Sequence, residues 1–160
     1  IGEDGGTSHV SVVDAEGNAV ALTTTINTGF GSRFVAGGTG IVLNNQMDDF
    51  VAQPGVPNSF GLIGEKANAI EPKKRPLSSM SPTIVFKGRQ PILVIGASGG
   101  PMIITSTLQV MLNILVFGMA PETAVRAPRI HHQWMPNTIK YEVGIKDDVL
   151  KALQTFGPLT

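Results

Sequence analysis

One apolar run dominates this sequence. Met102 to Phe117, MIITSTLQVMLNILVF, is its longest hydrophobic stretch. It is too short to span a bilayer, and Thr105, Ser106, Thr107, Gln109 and Asn113 interrupt it. The run therefore reads as a buried helix. Gly96-Ala97-Ser98-Gly99-Gly100-Pro101 opens it, and proline suits a first helical turn.

Strand signals precede that helix. His9–Val13 and Ala19–Ile26 are rich in Val, Thr and Ile, and Asp14-Ala15-Glu16-Gly17-Asn18 between them reads as a turn. A glycine-rich passage, Gly29 to Gly40, leads to a short apolar run, Ile41–Leu43, and a long loop reaches Pro82. Thr83–Phe86 and Ile92–Ile95 suggest a second hairpin. After the long run come a short helix from Pro121 to about Arg126, a strand near Ile139–Val143 and a last helix from about Asp147 to Phe156. Strands followed by helices argue for an α+β fold.

The chain has 160 residues, 42% hydrophobic and 15% charged, which suits one globular domain with a real core. Twelve basic and twelve acidic residues cancel without forming blocks, so neither nucleic acid nor a membrane surface is an expected partner. There is no cysteine, which excludes disulfides and thiolate metal sites. No signal peptide is visible at Ile1-Gly2-Glu3.

Several clusters could carry chemistry, each with an ordinary alternative. Thr7-Ser8-His9 alone reads as a turn leading into a strand. Thr25 and Asn27 would share one face of a strand, yet Thr23-Thr24-Thr25 is common β composition. Gln46, Asp48 and Asp49 offer acceptors for an ammonium, or they are solvated acids capping a helical turn, the reading preferred for Asp48. Ser78-Ser79, bracketed by Pro76 and Pro82, could bind a carboxylate, or satisfy itself as a loop. Gly99-Gly100 could aim backbone N–H groups at a developing oxyanion; it lacks the lysine and spacing of a phosphate loop. Adjacent His131-His132 face different ways and lack a carboxylate at ligand spacing, so a structural role with Arg129 and Trp134 is expected. His9 is read as a packing or hydrogen-bonding residue.

Together, Thr7-Ser8-His9-Val10-Ser11-Val12-Val13-Asp14, Thr25-Ile26-Asn27, NNQMDDF from Asn44 to Phe50, RPLSSMSPT from Arg75 to Thr83, Gly99-Gly100 and Pro128–Gln133 resemble the small subunit of the γ-glutamyltransferases. The resemblance runs from about Asp4 to Phe156. It implies the αββα sandwich of the N-terminal-nucleophile hydrolases, with two stacked and mainly antiparallel sheets. It also implies a precursor that cuts itself between Gly6 and Thr7. Residues 1–6 would then be the tail of a large subunit, and residues 7–160 a catalytic domain shortened at its C-terminus.

The resemblance assigns the nucleophile to Thr7, a hydroxyl contact with it to Thr25, and the oxyanion donors to Gly99 and Gly100. Asn27, Gln46 and Asp49 would take the substrate's α-amino end, and Ser78 and Ser79 its α-carboxylate. A hydroxyl needs a base, and the amine freed by cleavage before Thr7 supplies one. No metal or organic cofactor is required. The implied partners are the large subunit of the same precursor, which adds a carboxylate-binding arginine; a γ-glutamyl donor such as glutathione; and an acceptor amino acid, peptide or water. The periplasm or cell exterior is the implied location. The alternatives are a glutaryl-β-lactam acylase, a poly-γ-glutamate-processing relative, and a non-catalytic chain that never cuts itself and only binds a partner.

Overall fold

The computed structural model describes residues 6–160, so the expected large-subunit tail lies outside the described residues except for Gly6. Strands β1 (Thr7–Val13) and β2 (Ala19–Thr25) form an antiparallel hairpin, paired from Thr7 opposite Thr25 to Val13 opposite Ala19. The Asp14 carboxylate fixes the turn by accepting the N–H groups of Glu16 and Asn18 and the Asn18 side-chain amide, at 3.0, 2.8 and 2.7 Å.

Alternation gives the hairpin two unlike faces. Thr7, His9 and Ser11 stand opposite Thr25, Thr23 and Ala21 on one face. The His9 ring contacts the Thr23 and Ser11 hydroxyls at 2.7 and 3.0 Å and packs on Gly96, where any Cβ would collide with it. On the other face the apolar pairs Val10–Leu22 and Val12–Val20 remain 48–54% exposed.

Strands β3 (Thr83–Lys87) and β4 (Gln90–Ile95) form the second expected hairpin, which lies against the first. The pairing slips between Val85 and Phe86, because Leu93 faces the one and Pro91 the other. A proline cannot donate to a ladder, and a bulge absorbs the misfit. Ile41–Leu43 is not a strand; Val42 makes only an isolated bridge to Val35.

Helix α1 (Met102–Leu115) carries the long apolar run. Ile103, Thr107 and Val110 are buried, but Ile104, Leu108, Leu112 and Leu115 form a second apolar stripe, 39–51% exposed. The expected buried helix is thus buried on one face only. Helix α2 (Pro121–Arg126) packs on α1 through the fully buried Ala124. Strand β5 (Ile130–His131) pairs with β6 (Lys140–Tyr141), and α3 spans Asp147–Leu153. The strand expected over Ile139–Val143 is this short because Ile139 pairs instead with Leu159. No helix among the described residues is long and apolar enough to cross a membrane.

His131 is buried, with Nδ1 2.8 Å from the Thr105 hydroxyl and Nε2 2.9 Å from the Gln133 side-chain oxygen Oε1. Of the partners expected for the pair, Trp134 donates its backbone N–H to His132 Nδ1 at 3.2 Å, while His131 hydrogen-bonds to neither Arg129 nor Trp134. Arg129 pairs with Glu142 at 2.9 Å, and Trp134 is largely exposed.

The core is thin. Phe50, Ile103, Val110, Ala124 and Ile139 are its buried hydrophobic members among the described residues. The chain exposes 10822 Å², against about 7,600 Å² for a self-contained globule of its mass. Composition alone points to a closed domain; the apolar residues are instead spread over faces that this chain does not cover itself.

Candidate active site

Thr7 begins β1 directly opposite Thr25, the last residue of β2, so their side chains share the inner face. The two hydroxyl oxygens are 2.9 Å apart. Thr25 Oγ1 also accepts the Asn27 N–H at 2.8 Å and donates to the Gly6 carbonyl at 3.1 Å. That carbonyl receives a second bond from the Ile26 N–H at 2.9 Å. A hydroxyl has one proton. With Thr25's given to Gly6, the contact between the threonines is a bond donated by Thr7.

Asn27 reaches the same cavity by a route that strand alternation does not provide. β2 stops at Thr25, and Asn27 adopts a left-handed φ of 78°, which asparagine tolerates better than most residues. It is buried, and its amide nitrogen gives one of its two N–H groups to the Asn45 carbonyl at 3.3 Å. The remaining side-chain oxygen is an acceptor.

Gln46 and Asp49 sit three apart in a single 3-10 turn, Gln46–Asp49, and therefore on one face. Burial, with the neighbouring Asp48 adding to it, pushes the Asp49 carboxyl up to about 6. Asp48 does not cap the turn. Its carboxylate accepts the Ser59 N–H at 3.0 Å and holds the following loop. Ser78 and Ser79 close another wall; Ser78 Oγ accepts the Met80 N–H at 3.2 Å.

Thr7, Thr25, Asn27, Gln46, Asp49, Ser78, Ser79 and Gly100 all line one small cavity of about 40 Å³. Gly99 lies one residue behind the wall. Both glycines have positive φ, 131° and 56°, and their carbonyls start α1 by accepting the Met102 and Ile103 N–H groups. The Phe60 ring packs so closely on Gly100 that a Cβ there would meet it at 2.8 Å. Asn58, Phe60, Leu62, Leu77, Met80, Pro101 and Ile103 complete the lining. Asn58 and Phe60 carry no motif, so only the folded loop discloses them. No group of His, Asp and Glu residues among the described residues is placed to hold a metal ion.

Antiparallel hairpins, helices and a strand-leading threonine facing a cavity define the fold of the N-terminal-nucleophile hydrolases. The chain belongs to the Gamma-glutamyltranspeptidase family, whose sequence model matches residues 1–159. It is 55% identical to the "Glutathione hydrolase proenzyme" of Escherichia coli (strain K12), an alignment covering 97% of this chain and 27% of that protein. The chain thus spans about a quarter of the length of such relatives. A crystal structure of a mutant Helicobacter pylori gamma-glutamyltranspeptidase is 48% identical, with a TM-score of 0.91, over 95% of this chain and 83% of that one. At greater distance, a cephalosporin acylase from Bacillus halodurans is 30% identical with a TM-score of 0.79, over 95% of this chain and 26% of that one.

Proposed function

We propose that this chain is the catalytic part of a self-cleaving γ-glutamyl hydrolase and transferase, acting on glutathione and related donors with Thr7 as nucleophile. The observation that carries this reading is the Thr7–Thr25 hydroxyl contact of 2.9 Å beside a Gly6 carbonyl held by two donors, Thr25 Oγ1 and the Ile26 N–H. Attack by Thr7 Oγ on that carbonyl carbon would push negative charge onto an oxygen already hydrogen-bonded twice. As the Gly6–Thr7 C–N bond breaks, the Thr7 nitrogen takes a proton and becomes a free amine able to act as base, and the Gly6 acyl group passes to Thr7 Oγ. Hydrolysis of that ester then releases the peptide ending at Gly6.

In turnover, Thr7 Oγ attacks the γ-carbonyl carbon of the donor, and the bond to the leaving amine breaks as that amine takes a proton. Gly99 and Gly100 are the proposed oxyanion donors, on the strength of the motif and of Gly100's place in the wall. Water or an acceptor amine then resolves the γ-glutamyl ester. The Asn27 oxygen and the Asp49 carboxylate, with Gln46 beside them, suit the donor's ammonium, while Ser78 and Ser79 suit its carboxylate. A glutaryl acylase has no ammonium to bind, so these acceptors favour the γ-glutamyl reading over the acylase one. The large subunit is the proposed cover for the exposed Val10–Leu22 and Val12–Val20 face. Family membership supports action in the periplasm or outside the cell, which fractionation of the producing cells checks.

Intact-mass measurement on the full-length precursor tests the proposal. Wild type should yield a fragment beginning at Thr7, and Thr7→Ala should stay whole and inactive towards γ-glutamyl-p-nitroanilide. Cleavage before residue 7 in Thr7→Ala would refute the mechanism.

A further inference from the structure

Asn68 does not itself line the cavity, yet it fastens two of the cavity's walls together. Its Nδ2 donates to the Asp49 carbonyl at 2.7 Å, and its Oδ1 accepts the Leu77 N–H at 3.0 Å. Its own carbonyl accepts the Val51 N–H at 2.9 Å, and the next residue, Ala69, forms a parallel bridge with Val51. Three hydrogen bonds thus tie one residue to the segment carrying Asp49 on one side and to the loop carrying Ser78 and Ser79 on the other.

We propose that Asn68 is a positioning residue that sets the spacing between the ammonium-binding and carboxylate-binding walls, and so carries selectivity for donors with a free α-amino acid head. This rests on the γ-glutamyl reading of the cavity. The ammonium and carboxylate of an amino acid sit on one carbon, so their partners must be held at one mutual distance. Loops alone do not hold such a distance. Among short side chains asparagine alone offers a donor and an acceptor in one rigid plane; aspartate lacks the donor, and glutamine is longer by a methylene. Nothing in this arrangement touches Thr7 or Thr25, so cleavage at Gly6 and the chemical step should be spared.

The test uses Asn68→Ala and Asn68→Asp in the full-length precursor, the second retaining an acceptor for the Leu77 N–H. Self-cleavage should proceed as in wild type, with kcat for γ-glutamyl-p-nitroanilide within about twofold and KM raised roughly tenfold. Inhibition by L-glutamate should weaken by a similar factor, while inhibition by glutarate, the same chain without the ammonium, stays unchanged. A residue serving only stability would alter both inhibitors together. Unchanged KM in both variants, or equal loss for glutamate and glutarate, overturns the inference. Should Asn68→Ala not fold, Asn68→Asp decides alone, and its unchanged KM overturns it too. A wild type inactive towards the γ-glutamyl substrate overturns the functional reading, and this inference falls with it.

Discussion

At the scale of single residues, Asp49 is the group whose surroundings most alter its chemistry. Burial and Asp48 raise it to about 6 from 3.8, so its carboxyl contributes stability at acid pH, fully below 3.8, that is lost as pH rises through about 6. Above that pH it is an incompletely solvated anion, which an ammonium ligand would relieve. L-Glutamate should therefore raise the melting temperature of the full-length enzyme more at pH 7.5 than at pH 5, and KM for the donor should climb as pH falls below 6. Asp49→Asn should raise KM roughly 10- to 100-fold and flatten that pH dependence. Thr25 makes a separate prediction. Thr25→Val keeps the shape but removes the hydroxyl, and both self-cleavage and kcat should drop by about a hundredfold or more, read by intact mass and by steady-state rates. The sequence discloses Thr7 and Asp49 because they stand in long motifs, and Thr25 only through its spacing from them in the shared pattern. It hides Phe60 and Asn68, whose positions depend on contacts across loops that no local pattern encodes.

Among elements, α1 links the core to the site, since Ile103 is 1% exposed and also lines the cavity. Ile103→Ala should cost roughly 2–5 kcal/mol in denaturant unfolding of the full-length protein, and Ile103→Val about 0.5–1.5 kcal/mol. Both hairpins and all three helices are legible from periodicity and turn residues, with ends shifted by a residue or a few. β1 begins two residues ahead of its apolar signal because Thr7 and Ser8 are recruited by pairing with Thr25 and Thr24. The apolar run Ile41–Leu43 does not extend into a strand, because its pairing with the Phe34–Ala36 segment stops at the single bridge between Val42 and Val35. Asn27 shows a further limit. It lines the cavity, but a left-handed turn puts it there, not strand alternation.

For the molecule as a whole, hydrophobicity says how much apolar surface exists but not which chain covers it. The hairpin's outer pairs and the α1 stripe together form broad apolar surfaces of the kind that mark an interface. Produced alone, the 160-residue chain should bind a hydrophobic dye and scatter light as it associates. Co-folding with its precursor's remainder should suppress both.

The three-way contact at Thr25 also imposes an order of events on the proposed chemistry. In the uncut chain the single proton of this hydroxyl is engaged by the Gly6 carbonyl. Once that carbonyl leaves, the proton has lost its acceptor, and of Thr25's remaining partners only Thr7's oxygen can accept it, since the Asn27 N–H is a donor. One hydroxyl would then serve two reactions in sequence, with departure of the peptide acting as a ratchet: the second role opens only after the first is spent, and nothing in ordinary turnover restores it.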